Sequence, residues 1–311
     1  MNNNSINFLP EFAEVEYLTA RDGVRLRVGF FPSFGDAKAS ILLLNGHREF
    51  LEKYTEFIGS FQRRGFNVYS MDYRGQGLSD KPLDNHNKSH NPDFSLLVED
   101  INEFISRKIK SDTFNHPFYM VAHSMGAQLG LRYLHDHPGI FTKAVLMSPF
   151  TDLNYGLKYV GGLAKIFFKT AALIGFSEAF APGQVKNKDM VVHQYAIDQL
   201  THDEQRYYSS VRATEHNPEL FLGGVTFGWL KGAIDSMNII KQSGYMKTIK
   251  TPILCLLAGE ENVVDNVSTL KLLQHVKNVS IEIIENSRHE IYRETDQVIS
   301  ILFGKIDNFL L

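Results

Sequence analysis

Six short apolar runs, Ser40 to Leu44, Asn67 to Met71, Phe118 to Ala122, Lys143 to Met147, Pro252 to Leu257 and Val279 to Ile284, recur along the chain with helix-period patterns between them. Apolar runs of this length without polar alternation read as strands covered on both faces. The stretches between them, about Leu51 to Arg64, Phe94 to Lys110, Met125 to His137, Asn266 to Val276 and Asp296 to Phe309, read as the covering helices. Strand and helix in alternation restrict the chain to an α/β fold with a mostly parallel, doubly wound sheet. Ahead of these runs, Glu14 to Leu18 and Val24 to Phe31 flank the turn signal Arg21-Asp22-Gly23 and read as a β-hairpin.

The alternation fails once. From Phe150 to about Gly224 no strand candidate stands out, while aromatics, glycines and helix-like runs accumulate until a helix from about Val225 to Lys241. An insertion there overlies the carboxyl edge of the sheet, where open α/β folds bind ligands. The expected organisation is therefore residues 1–150 and 225–311 as a core and residues 151–224 as a helical lid. The polar stretch Asp84 to Asp93, with His86 and His90, reads as a surface loop.

Composition removes several classes of function. With 32 Lys and Arg against 35 Asp and Glu, the net charge of −3 gives no positive field for phosphate backbones, so nucleic acid is not an expected partner. The single cysteine, Cys255, permits no intramolecular disulfide and no multi-cysteine metal site, which fits a reducing compartment. Met1 to Phe12 has no basic residue and no apolar run resembling a signal peptide. Leu157 to Phe176, the most apolar long stretch, carries Lys158, Lys165 and Lys169, too much charge for a membrane span. The expectation is a cytoplasmic protein, with peripheral contact at the inner face of the membrane left open.

Phe118 to Ala127 is the strongest local chemical signal: a buried strand runs straight into a helix with Ser124 at the corner. Such a corner holds a nucleophile above the sheet and needs small residues two positions to either side, here Ala122 and Gly126. Ala122 departs from the usual G-x-S-x-G by one methyl group. Serine needs a base, and His289 lies just after the last strand run, in Asn286 to Glu290. His123 adjoins the serine but points elsewhere at a turn of this kind. An acid that orients the base should follow the penultimate strand, where Ala258 to Asp265 offers Glu260, Glu261 and Asp265. Glu261 is the better placed, and Asp265 is the alternative, with an N-cap as its other reading. Two backbone N–H groups are expected to form an oxyanion hole, from Met125 and from His47 after the strand ending at Leu44.

With these parts in order, the chain resembles the α/β-hydrolase superfamily in its monoacylglycerol lipase and lysophospholipase branch, nearest to bacterial lysophospholipase. The segments that carry the resemblance include Ala122 to Gly126, Asp72 to Ser79, Glu260 to Asn266, His289 to Ile291, and the lid stretches Leu200 to Tyr207 and Gly223 to Trp229. Asn45 and the His47-Arg48 pair depart from the branch pattern at the oxyanion loop. The resemblance implies an α/β-hydrolase fold with an inserted lid, a Ser-His-acid triad, and a lysophospholipid or monoacylglycerol substrate. It implies no metal and no organic cofactor, and Asp72 and Arg74 as braces beside the serine corner.

For the substrate, Ile166, Phe167, Phe168, Leu173, Ile174 and Phe176 either line an acyl tunnel or pack on the core, and Arg48 is placed to meet a lysolipid phosphate. Lys158, Lys165 and Lys169 fall on one face of a helix, which suits either an anionic membrane or plain solvation. A short-chain carboxylesterase or an aminopeptidase-like hydrolase shares the same triad. Outside catalysis, the readings are a ligand-binding module or a membrane-surface protein. Oligomeric state is not encoded in these motifs.

Overall fold

The computed structural model describes residues 8–10, 12–109, 113, 116–152, 160–184 and 200–311. Eight strands form one sheet: β1 (Glu14–Thr19), β2 (Arg25–Phe31), β3 (Ala39–Leu44), β4 (Phe66–Met71), β5 (Phe118–His123), β6 (Lys143–Met147), β7 (Ile253–Ala258) and β8 (Val279–Ile284). Their order is β1-β2-β4-β3-β5-β6-β7-β8. The hairpin β1-β2 is antiparallel and so is its junction with β4, whereas every pair from β4 to β8 is parallel.

Period-two alternation divides the strand side chains between two cores. Leu42 and Leu44, Met120 and Ala122, and Cys255 and Leu257 face one core. Ile41 and Leu43, Tyr119 and Val121, and Leu254 and Leu256 face the other. Helices α2 (Ser95–Lys108), α3 (Ser124–Asp136), α6 (Phe227–Ile240) and α7 (Asn266–Leu273) cover the first face, and α1 (Thr55–Arg63) and α8 (Asp296–Leu310) the second. The continuous apolar runs thus follow from a sheet covered on both faces across its central strands, with edge strand β8 partly exposed, and burial pushes the Cys255 thiol up, out of reach of ionisation.

Between β6 and α6 the described residues contain two further helices, α4 (Val160–Ala171), which runs on into a π-type turn over Ala172–Phe176, and α5 (Glu204–His216). No strand occurs there among the described residues. Two expectations need correction in this region. Lys165 pairs with Asp152 at 2.7 Å and Lys169 with Asp235 at 2.6 Å, so these two lysines do not form an open cationic stripe; Lys158 lies outside the described residues. Of the six apolar residues read as tunnel or packing, five are exposed, including Ile166 (64%), Phe167 (55%) and Leu173 (71%), and only Phe168 is half-buried. Lys165 and Lys169 are half-buried beside their carboxylate partners, Phe168 and Ala171 pack inward against Phe227, and the remaining apolar side stays outward.

The Asp84 to Asp93 segment is not simply a surface loop. Ser89, His90 and Asn91 are buried, because Ser89 pairs with Val225 in an isolated parallel bridge and His90 Nδ1 lies 2.9 Å from Thr226 Oγ1. Thr226 caps α6 by accepting from the Trp229 amide. The loop therefore anchors the N-terminus of α6.

Candidate active site

Ser124 follows β5 directly and opens α3 with φ of 50°, a left-handed conformation unfavourable to any residue with a Cβ. What over-determines it is the close approach of α3 to β3. A Cβ at Gly126 would lie 2.4 Å from the Asn45 carbonyl oxygen and 2.5 Å from that of Leu44, so only glycine lets the helix start against the oxyanion-loop backbone. The Ser124 hydroxyl lies 2.9 Å from His289 Nε2, and His289 Nδ1 lies 2.9 Å and 3.0 Å from the two carboxylate oxygens of Glu261.

The acid side is built from one short turn after β7. Glu261 Oε1 also accepts from the amides of Val263 and Val264 at 2.8 Å and 3.2 Å. Burial works against its charge, but the His289 hydrogen bond, the imidazole charge and these amides together hold its carboxyl below the usual range. Asp265 is elsewhere: it N-caps α7, accepting from Val267 N at 2.9 Å. Glu260 is exposed at the surface, 3.2 Å from His202.

His289 sits in the turn after β8. Asn286, at φ 54°, reverses the chain there, and Ser287 Oγ donates back to the Ile284 carbonyl. The start of the α5 region grips this turn from outside: Glu290 N donates to Leu200 O at 2.9 Å, and Thr201 Oγ1 to Arg293 O at 2.7 Å.

Beneath the turn lies a buried polar network that no local motif announces. His123 Nε2 donates to the His289 carbonyl at 3.0 Å, and its Nδ1 lies 3.2 Å from Glu49 Oε2. Glu49 also accepts from Tyr54, from Tyr292 at 3.0 Å and from the Gly46 amide, and lies 3.5 Å from Lys53. Burial opposes both charges of the pair, yet each holds the other: Glu49 is pulled well below the carboxylate range and His123 is raised. Lys53 reaches on to Glu290, and Glu290 to Arg293. Hence His123, only a neighbour of the serine in sequence, links the backbone of the histidine turn through Glu49 to the loop after β3.

That loop is fixed from both sides. Gln76 accepts from Arg48 N at 2.9 Å and donates to Gly46 O at 3.1 Å. Gln76 is in turn held by the tight loop around Asp72, which pairs with Arg27 at 3.2 Å and accepts from the amides of Leu51 and Leu78. Arg74 grips Asp100 with two 2.6 Å bonds. The amides of Gly46 and Arg48 are thus both engaged, while among the described residues that of His47, between them, has no acceptor. Met125 is the second residue of α3, whose first-turn amides lack intrahelical partners.

Ser124 opens into a cavity of about 360 Å³ lined by His47, Arg48 and Met125 and by apolar walls from Phe150, Phe168, Trp229, Leu230 and Val263. Phe167, expected beside Phe168 at the substrate, does not line it; its ring stays largely exposed, with one edge contact to Phe227. Arg48 does line it, with Nε donating to Leu222 O at 2.9 Å. No acidic side chain is among the lining residues described. Nor does any group of three or more His, Cys, Asp or Glu among the described residues offer a metal site.

Comparison with known proteins agrees with this architecture. The chain is 28% identical over 306 residues to a probable lysophospholipase L2 of Haemophilus influenzae, covering 97% of this chain and 94% of the relative. It is 27% identical to lysophospholipase L2 of Escherichia coli K12, covering 86% and 79% of the two chains. Among solved structures, a monoglyceride lipase of Saccharomyces cerevisiae superposes with a TM-score of 0.77 over 96% of this chain and 94% of that one, at 17% identity, which shows the shared fold. Matching from residue 35 to residue 296 the family model described as serine aminopeptidase, S33, the chain belongs to that family of α/β-hydrolases, in its lysophospholipase and monoglyceride lipase branch.

Proposed function

We propose that the chain is a serine hydrolase that cleaves the carboxylic ester of lysophospholipids or monoacylglycerols through a covalent acyl-enzyme. The observation that carries this reading is the unbroken hydrogen-bonded line from Ser124 through His289 to Glu261 at the mouth of an apolar cavity. His289 Nε2 takes the hydroxyl proton as Ser124 Oγ attacks the ester carbonyl. Glu261, ionised, keeps Nδ1 protonated and stabilises the imidazolium that forms. The oxyanion sits on the amides of His47 and Met125, and its collapse expels the alcohol, which takes the proton from His289. Water, deprotonated by the same histidine, then releases the fatty acid. A glycerol or lysolipid hydroxyl in place of water gives transacylation.

Residues 151–224 are read as a lid over this cavity. The outward apolar side of α4 and the following turn, with Leu163, Ile166 and Leu173 among the most exposed large apolar residues described, supports peripheral contact with the lipid from which substrate is drawn. No helix among the described residues is long and apolar enough to cross a membrane. An aminopeptidase reading, which the family description raises, is less well supported: a substrate α-ammonium calls for a carboxylate, and the described lining offers Arg48 instead. The test is fatty acid release from monoacylglycerol, lysophosphatidylcholine, lysophosphatidylethanolamine and short p-nitrophenyl esters. Highest kcat/KM on the long-chain lipids supports the reading; turnover of short esters alone overturns the lipid assignment.

Arg48 bears on the headgroup. Arg48→Ala is expected to raise KM for lysophosphatidyl substrates by about tenfold, the effect of one charge-assisted contact, and to leave KM for monoacylglycerol within about twofold. Equal increases on both substrates would remove the phosphate role.

A further inference from the structure

The side chain of His47 is set apart from the backbone role of the same residue. Its Nε2 lies 2.7 Å from Ser89 Oγ, and its ring packs on Trp229 with centroids 4.3 Å apart. Ser89 is 1% exposed and held by its backbone on both sides, N–H to Gly224 O at 3.0 Å and C=O from Thr226 N at 3.0 Å. The ring is therefore fixed in orientation by a buried hydroxyl and an indole face. Its other nitrogen, Nδ1, has no hydrogen-bond partner among the described residues, and the residue lines the cavity that holds Ser124. Burial, with Arg48 adjacent, pushes the imidazole down to about 3, which favours the neutral ring.

A neutral imidazole bonded at one nitrogen offers the other as a single, uncharged donor or acceptor, according to tautomer. It does not select a phosphate, a carboxylate or an ammonium. A hydroxyl, which both donates and accepts, satisfies either tautomer. The residue's own amide is the oxyanion donor of the preceding section, so the imidazole stands beside the acyl carbonyl. In a 1-acyl glycerolipid the group three bonds beyond the ester oxygen is the free 2-hydroxyl. We infer that the His47 imidazole, oriented by Ser89, recognises the free hydroxyl adjacent to the scissile ester, and so selects mono-acylated glycerolipids over esters that lack it. This rests on the ester-hydrolase reading above.

The test compares 1-decanoylglycerol with decanoyl-1,3-propanediol, the same ester without the 2-hydroxyl, on native protein, His47→Phe and Ser89→Ala. The readout is the ratio of kcat/KM for the two esters, in which any damage to the oxyanion loop cancels because both present the same carbonyl. The native protein is expected to favour the hydroxylated ester about tenfold, the effect of one neutral hydrogen bond. His47→Phe, which keeps an aromatic ring on Trp229, is expected to bring the ratio close to one, and Ser89→Ala to lower it by freeing the imidazole. A native ratio near one with both esters turned over, or a ratio that survives His47→Phe, would overturn the inference while leaving the hydrolase reading intact. Turnover of neither ester, with lysophosphatidylcholine and p-nitrophenyl esters also left intact, would refute the hydrolase reading and this inference with it; lysophosphatidylcholine cleaved but neither of the two esters would overturn this inference alone.

Discussion

Ser124→Ala is expected to lower ester hydrolysis by about 10⁶-fold in kcat, to a residue of activity owed to the oxyanion amides and the cavity alone. The size follows from how the three side chains act as a unit: without Oγ there is no nucleophile to accept the acyl group, and the pairing of His289 with Glu261 has nothing to activate. Stability should move by less than about 1 kcal/mol, since alanine retains the Cβ and the buried hydroxyl gives up only its bond to His289. Fatty acid release on a monoacylglycerol, with urea unfolding of both proteins alongside, measures the two quantities. Residual release within about tenfold of native would remove Ser124 as nucleophile. If the native protein itself releases nothing, the ligand-binding reading takes precedence, and binding of a lysolipid that is indifferent to Ser124→Ala would support it.

Much of this architecture is written locally. Each buried strand is a continuous apolar run, and the strand-to-helix corner at Ser124 announces itself because Ala122 and Gly126 are small where the backbone demands it. The choice between Glu261 and Asp265 shows where local reading ends. Both are carboxylates within a few residues of β7, and what separates them is a turn in which the Val263 and Val264 amides fold back on Glu261 while Asp265 caps α7. Burial of Ser89 and His90 within the Asp84 to Asp93 stretch is not legible for a similar reason: their polar groups are satisfied by Gly224 and Thr226, more than 130 positions away in sequence, and no window on the loop registers that. The outward side of α4 illustrates the converse. Its apolar residues suit a tunnel or core packing equally well, and which flank of α4 meets Phe227, Asp152 and Asp235 is decided by residues distant in sequence.

Least legible of all was the pair Glu49 and His123, which gives the second large expected effect. Glu49→Ala should destabilise the protein by about 3–5 kcal/mol, because it strands a buried imidazolium rather than removing a whole ion pair. Tyr54 and Tyr292, whose hydroxyls both donate to Glu49, lose their acceptor in the same step. In the protein that still folds, kcat should fall about 10-fold to 100-fold with little change in KM. The Gly46 amide loses the carboxylate that holds the oxyanion loop, and the carbonyl of His289 loses a fixed donor, so both halves of the site drift by fractions of an ångström.

The pH dependence of the stability difference identifies its origin. Glu49 lies below its ordinary 4.5, so its contribution is complete above that value and is lost as the pH falls through the depressed one. His123 lies above its ordinary 6.5, so its contribution is complete below that value and is lost as the pH rises through the raised one. The native protein should therefore exceed Glu49→Ala in stability by the widest margin between about 4.5 and 6.5, narrowing on both sides. Urea unfolding of both proteins across that range measures it. A margin that stays constant with pH would mean that Glu49 acts by packing and neutral hydrogen bonds, with no charged partner in His123. The Gly46 amide would then be held by an uncharged carboxyl, and the fall in kcat should shrink with that weaker bond.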